Sequence, residues 1–164
     1  SSIENRFTEL LSSEYGILTV NHGIGGTRIA PRLAPERPGE EGFGQYFGSR
    51  VAGMDPDADI IVVFGGTNDY WHKNVNIGAE DSTDAATFVG ALRYIKNALE
   101  TNHPNAEYLF VFPPDQTFGG YPSSTDFGRG SLDDFRAAFL EFCEQYDLLP
   151  NQRSALCGSW GNGI

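Results

Sequence analysis

Asp59 to His72 reads DIIVVFGGTNDYWH, and its two halves pose different structural demands. Ile60 to Phe64 is an unbroken apolar run, mostly β-branched, which predicts a strand buried on both faces of a parallel sheet. Gly65 and Gly66 end it, and an amide, a carboxylate, two aromatics and a histidine follow at once. In an open parallel sheet, ligands bind outside the carboxyl ends of the strands. A polar cluster at that position therefore reads as the rim of a site.

The rest of the chain alternates around this strand. Ile3, Phe7, Leu10 and Leu11 share one helical face that Gly16 would stop. ILTV (17–20) predicts a short strand leading into the glycine-rich turn NHGIGGT (21–27), and a Pro- and Gly-rich loop (30–44) leads to a helix through QYFGSRVAGM (45–54). A helix is expected over 82–100, capped by Asp81, Ser82 or Thr83, with Phe88, Leu92, Ile95 and Leu99 as its buried stripe. YLFVF (108–112) reads as a second fully buried strand, ended by Pro113 and Pro114. After the loop DQTFGGYPSSTDFGRG, Ser131 caps a last helix with Asp134 in capping-box position, and Phe135, Phe139, Phe142, Cys143 and Tyr146 face inward.

Helix and strand alternate throughout, which implies an α/β fold: one domain over 1–164 with a parallel sheet between helical layers. A domain of this class normally opens on a strand and returns to one near its end. This chain starts on a helix at SSIENRF and finishes in the glycine-rich NQRSALCGSWGNGI. The layout thus predicts that the first strand and the last strand, loop and helix are missing, leaving exposed apolar faces and unpaired backbone.

With 164 residues the chain can build one ordinary core. A net charge of −11 argues against a nucleic-acid partner, which requires clustered Lys and Arg. No apolar run approaches the length of a membrane span, and no signal peptide is visible. Cys143 and Cys157 are the only cysteines, so neither a disulfide framework nor a thiolate metal site is indicated.

NHGIGGT and GGTND carry the chemistry. A glycine-rich turn exposes backbone N–H groups and lets a ligand approach, while Asn68 adds an amide N–H₂. Donors of both kinds suit an oxyanion better than a cation. The glycines do not form a dinucleotide fingerprint, because Arg28 stands where G-x-G-x-x-G needs its third glycine, and no G-K-[ST] marks a P-loop.

Laid side by side, these two segments resemble the second and third conserved blocks of the SGNH (GDSL-like) hydrolases, serine esterases and lipases on a flavodoxin-like αβα sheet. The resemblance implies that Gly26 donates its backbone N–H to an oxyanion, that Asn68 donates its side-chain amide, and that Asp69 braces the turn. It implies no cofactor and no metal. It also implies a small-molecule ester substrate, a short acyl ester or an acetylated carbohydrate, lined by His22, Tyr70, Trp71, His72, Phe118 and Tyr121.

Two further blocks of that family are not found. No G-D-S occurs anywhere, and no histidine follows residue 150. Glu100-Thr101-Asn102-His103 imitates a D-x-x-H pair, but it precedes a strand and so belongs to the far end of the sheet. Loss of nucleophile or base costs on the order of a million-fold in turnover, so the chain is expected to hold the oxyanion half of an esterase site and to be nearly inactive alone. A non-catalytic small-molecule-binding protein on the same fold is the alternative; a flavin or phosphate binder would need more hydroxyls in its loops than Thr27 supplies.

Overall fold

The computed structural model describes residues 7–31, 46–71, 75–113 and 122–148. Its elements in chain order are helix α1 (Phe7–Tyr15), a 3-10 helix (Phe47–Gly53), strand β1 (Ile60–Phe64), the single turn α2 (Thr67–Trp71), α3 (Phe88–Asn102), β2 (Glu107–Val111) and α4 (Leu132–Gln145). Gly16 ends α1 as expected: with φ +66° its N–H donates to the Ser12 carbonyl, a conformation that glycine adopts without penalty. Ile3 lies outside the described residues.

β1 and β2 pair in parallel, with Ile61 beside Tyr108 and Val63 beside Phe110. Paired residues point to the same face, and that face is covered by helices. Phe110 packs on Phe142 of α4, and Phe112 packs on Phe88 of α3 and Phe139 of α4. The α3 stripe of Phe88, Leu92, Ile95 and Leu99 is buried, as are Phe135, Phe139, Phe142 and Cys143 of α4. Burial pushes the Cys143 thiol up to about 12; Cys157 lies outside the described residues.

The expectation that both strands are buried on two faces is corrected. Ile61 and Val63 are buried, but Ile60, Val62 and Phe64 keep 62%, 43% and 45% of their surface exposed. Tyr108, Leu109 and Val111 are half-buried. Successive strand residues point to opposite faces, and α3 and α4 both lie on the Phe110 face. ILTV is corrected too. Residues 17–20 form no strand, and Leu18 is 90% exposed. Extended backbone becomes a strand only when a neighbour takes its N–H and C=O groups, and no described strand lies beside it.

Two helix boundaries also differ. The helix expected from residue 82 begins at Phe88 with Thr87 as its cap, whose side chain accepts from the Gly90 N–H. Upstream, the Ser82 hydroxyl accepts from the Asp84 N–H and the Asp84 carboxylate from the Ala86 N–H. Such local bonds compete with the helix. Phe47–Gly53 tightens into a 3-10 helix, with the Ser49 N–H donating to Tyr46 and the Met54 N–H to Val51, three residues back.

At α4 the capping box forms as read from the sequence, with Ser131 and Asp134 bonding each other's backbone N–H. Ser131→Ala should cost about 1 kcal/mol, measured as a lower urea midpoint at unchanged m-value.

Candidate active site

The site lies at the carboxyl end of β1, where two glycine turns meet. Ile24 to Thr27 close a tight turn, with the Thr27 N–H reaching the Ile24 carbonyl at 3.4 Å. Gly26, its third residue, has φ +77°, which a type II turn reserves for glycine. Gly26 is exposed, and no described group accepts from its N–H.

The second turn follows β1 directly. Gly65 lies against the ring of Phe47 and Gly66 against that of Phe112; a Cβ on either would stand 2.6 Å or 2.5 Å from ring carbon. Gly66 also has φ +124°. Side chains are thus excluded where the strand turns into α2, and the turn can pack flat over the core.

α2 then presents Asn68 and Asp69 to the first turn. The Asn68 Nδ2 donates to the Thr27 carbonyl at 2.8 Å. An amide nitrogen carries two hydrogens, so a second remains for a ligand one peptide away from Gly26. Asp69 is fully buried, and its two carboxylate oxygens accept the Ile29 and Ala30 N–H groups, each at 2.9 Å. Burial pushes its carboxyl up to about 7, against the pull of the two N–H bonds and of Arg28 nearby. One hydrogen bond therefore ties GGTND to NHGIGGT, and two more tie it to Ile29 and Ala30 just beyond, across some forty residues of sequence.

The aromatic rim differs from expectation in one member. Tyr70 does not line an open site: it is 4% exposed, donates its hydroxyl to the Thr125 carbonyl at 3.0 Å and packs on Phe127 and Phe135. A residue two positions after Asn68 on a helical turn points away from it, here into the core. Trp71, three positions after Asn68, is half-buried edge-on to Phe127 at 5.9 Å. His22 is half-buried in the segment before the glycine turn. His72, Phe118 and Tyr121 lie outside the described residues. His103 sits at the opposite end of the sheet, as its place before β2 implied, with Nε2 2.9 Å from the Val51 carbonyl.

Thr27 and Phe127 were not singled out by sequence. Thr27 meets Asn68 through its carbonyl, which any residue would supply, and its hydroxyl closes the turn on Ile24; Phe127 is carried beside Trp71 by a loop with no periodicity.

The sequence profile of the GDSL-like lipase/acylhydrolase family matches residues 1–150. A crystal structure of a protein from Lactobacillus plantarum is similar, with 27% identity and a TM-score of 0.70 over 88% of this chain and 68% of that one. Another solved structure is 31% identical, with a TM-score of 0.63 over 75% of this chain; the chain spans 54% of its length. A possible lipase from Chitinophaga pinensis shares the fold at 22% identity and a TM-score of 0.50, over 62% of this chain and 46% of that one. No curated protein sequence gives a significant match.

Proposed function

Since the chain belongs to the GDSL-like lipase/acylhydrolase family, we propose that it contributes the oxyanion hole of a serine ester hydrolase. The observation that carries this reading is the Asn68 amide on the Thr27 carbonyl, beside the exposed Gly26 N–H. When a serine attacks an ester carbonyl, the oxygen gains negative charge, and fixed N–H donors stabilise it without having to reorganise. Gly26 supplies a backbone donor and Asn68 a side-chain donor, while Asp69 holds the two turns together. Residues 1–164 contain no G-D-S and no D-x-x-H after the last helix, so they account for charge stabilisation and not for attack or proton transfer. The substrate is a carboxylic ester, a short acyl ester or an acetylated carbohydrate.

The oxyanion donors can be tested without turnover, because a product carboxylate presents the same oxygens. In an acetate or butyrate titration, the amide resonance of Gly26 and the side-chain amide of Asn68 should shift together along one binding curve. Asn68→Ala should weaken that curve at Gly26. A titration that moves neither resonance overturns the reading.

A further inference from the structure

The two turns meet at Thr27, and a cation reaches that residue from a part of the chain that neither motif includes. Arg50, on the 3-10 helix, donates from Nη2 to the Thr27 hydroxyl at 3.3 Å. The same hydroxyl donates to the Ile24 carbonyl at 2.8 Å, closing the glycine turn. The Thr27 carbonyl in turn receives Asn68. A continuous chain of bonds thus runs from the guanidinium to the turn that carries Gly26 and to the amide of Asn68.

The bond to Thr27 is the guanidinium's one hydrogen bond among the described residues, and Nη1 is buried without a partner. Cζ lies 4.8 Å from the centre of the Phe47 ring, a cation–π contact that fixes the plane of the group. Phe47 is itself anchored, its N–H on the Arg28 carbonyl at 3.0 Å and its ring against Gly65. The 3-10 helix therefore touches both glycine turns and aims one charged donor at their junction. Desolvation lowers the Arg50 pKa from its usual value. Keeping a partly buried guanidinium with an unmet donor is costly. A charged donor also makes the hydroxyl it binds a stronger donor in turn, which tightens the bond to Ile24.

We propose that Arg50 is a positioning residue of the oxyanion hole, acting through the Thr27 hydroxyl to hold the Gly26 N–H and the Asn68 amide at one point. This rests on the oxyanion reading of Gly26 and Asn68. Arg50 touches no substrate, so its effect falls on the transition state and appears in kcat.

The test is a set of variants in a protein that joins residues 1–164 to a serine nucleophile and its acid–base pair, assayed on p-nitrophenyl butyrate. Arg50→Met should lower kcat about ten-fold, the loss of one charged hydrogen bond, with KM within roughly two-fold of wild type. Thr27→Val removes the hydroxyl at constant shape and should lower kcat similarly, whereas Thr27→Ser should retain most of it. The double variant Arg50→Met/Thr27→Val should lose no more than the worse single variant, because both break one chain of bonds. Should Arg50→Met not fold, the Val and Ser variants of Thr27 decide. Multiplying losses in the double variant, a loss confined to KM, or Ser behaving like Val overturns the role of Arg50. If Asn68→Ala leaves kcat unchanged, the oxyanion reading itself fails; if Asn68→Ala lowers kcat and Arg50→Met does not, only the inference about Arg50 fails.

Discussion

Once the chain is joined to a serine nucleophile and its acid–base pair, Asn68→Ala should lower kcat on p-nitrophenyl acetate by about 10²–10³, with KM nearly unchanged. The size of the effect follows from what the amide faces. It is held at 2.8 Å on the Thr27 carbonyl by one hydrogen, so its orientation is set before substrate arrives. A preset donor strengthens its bond only as charge builds on the carbonyl oxygen, and an interaction made mainly in the transition state appears in kcat. The fold should survive the change: a buried acceptor at Thr27 loses one bond, at a cost of about 1–3 kcal/mol. Thermal unfolding therefore separates the two effects. A kcat within about three-fold of wild type would remove Asn68 from the oxyanion hole.

Asp69→Ala is expected to produce the largest loss of stability. Asp69 is fully buried, and removing its carboxylate leaves the Ile29 and Ala30 N–H groups without acceptors in the core. Each unmet buried donor costs about 1–3 kcal/mol, so the pair costs roughly 2–6 kcal/mol, and the glycine turn loses its attachment to α2.

The pH dependence identifies the carboxyl itself. Folded Asp69 titrates at about 7 against 3.8 for an ordinary carboxyl, so between those values the native state holds the extra proton. Stability from this group is complete below pH 4 and is lost as pH rises through 7, about 4 kcal/mol over the window. Wild type should therefore lose stability across that interval relative to Asp69→Ala, so the penalty of the variant shrinks between pH 4 and 7 and stays constant above. Parallel profiles for the two proteins, measured by urea unfolding, would contradict this.

Much of the architecture was legible because its signals are local. The α4 capping box joins residues three apart, and the stripe Phe88, Leu92, Ile95 and Leu99 repeats at helical spacing. Each depends on neighbours that the chain itself specifies. The start of α3 was not legible, because Asp81 to Asp84 offer several caps of similar strength. The Ser82 hydroxyl and Asp84 carboxylate took the Asp84 and Ala86 N–H groups instead, and Thr87 took the cap. ILTV and the outer face of β1 failed for a different reason. Strand formation and burial are decided by what lies alongside, and an apolar run cannot state its own neighbour.

The same division holds at the site. The glycines after β1 and the amide at Asn68 were legible from their place at the end of an apolar run, whereas the roles of Gly26 and Asp69 came only from the resemblance of NHGIGGT and GGTND to family blocks. Tertiary structure alone decided that Asp69 braces Ile29 and Ala30, that Asn68 meets Thr27, that Tyr70 turns into the core and that Arg50 reaches the junction. These are contacts between residues 23 to 55 positions apart. They exist because parallel pairing of β1 with β2, and the packing of the 3-10 helix, bring distant backbone groups within hydrogen-bond range. No spacing rule along the chain encodes that approach.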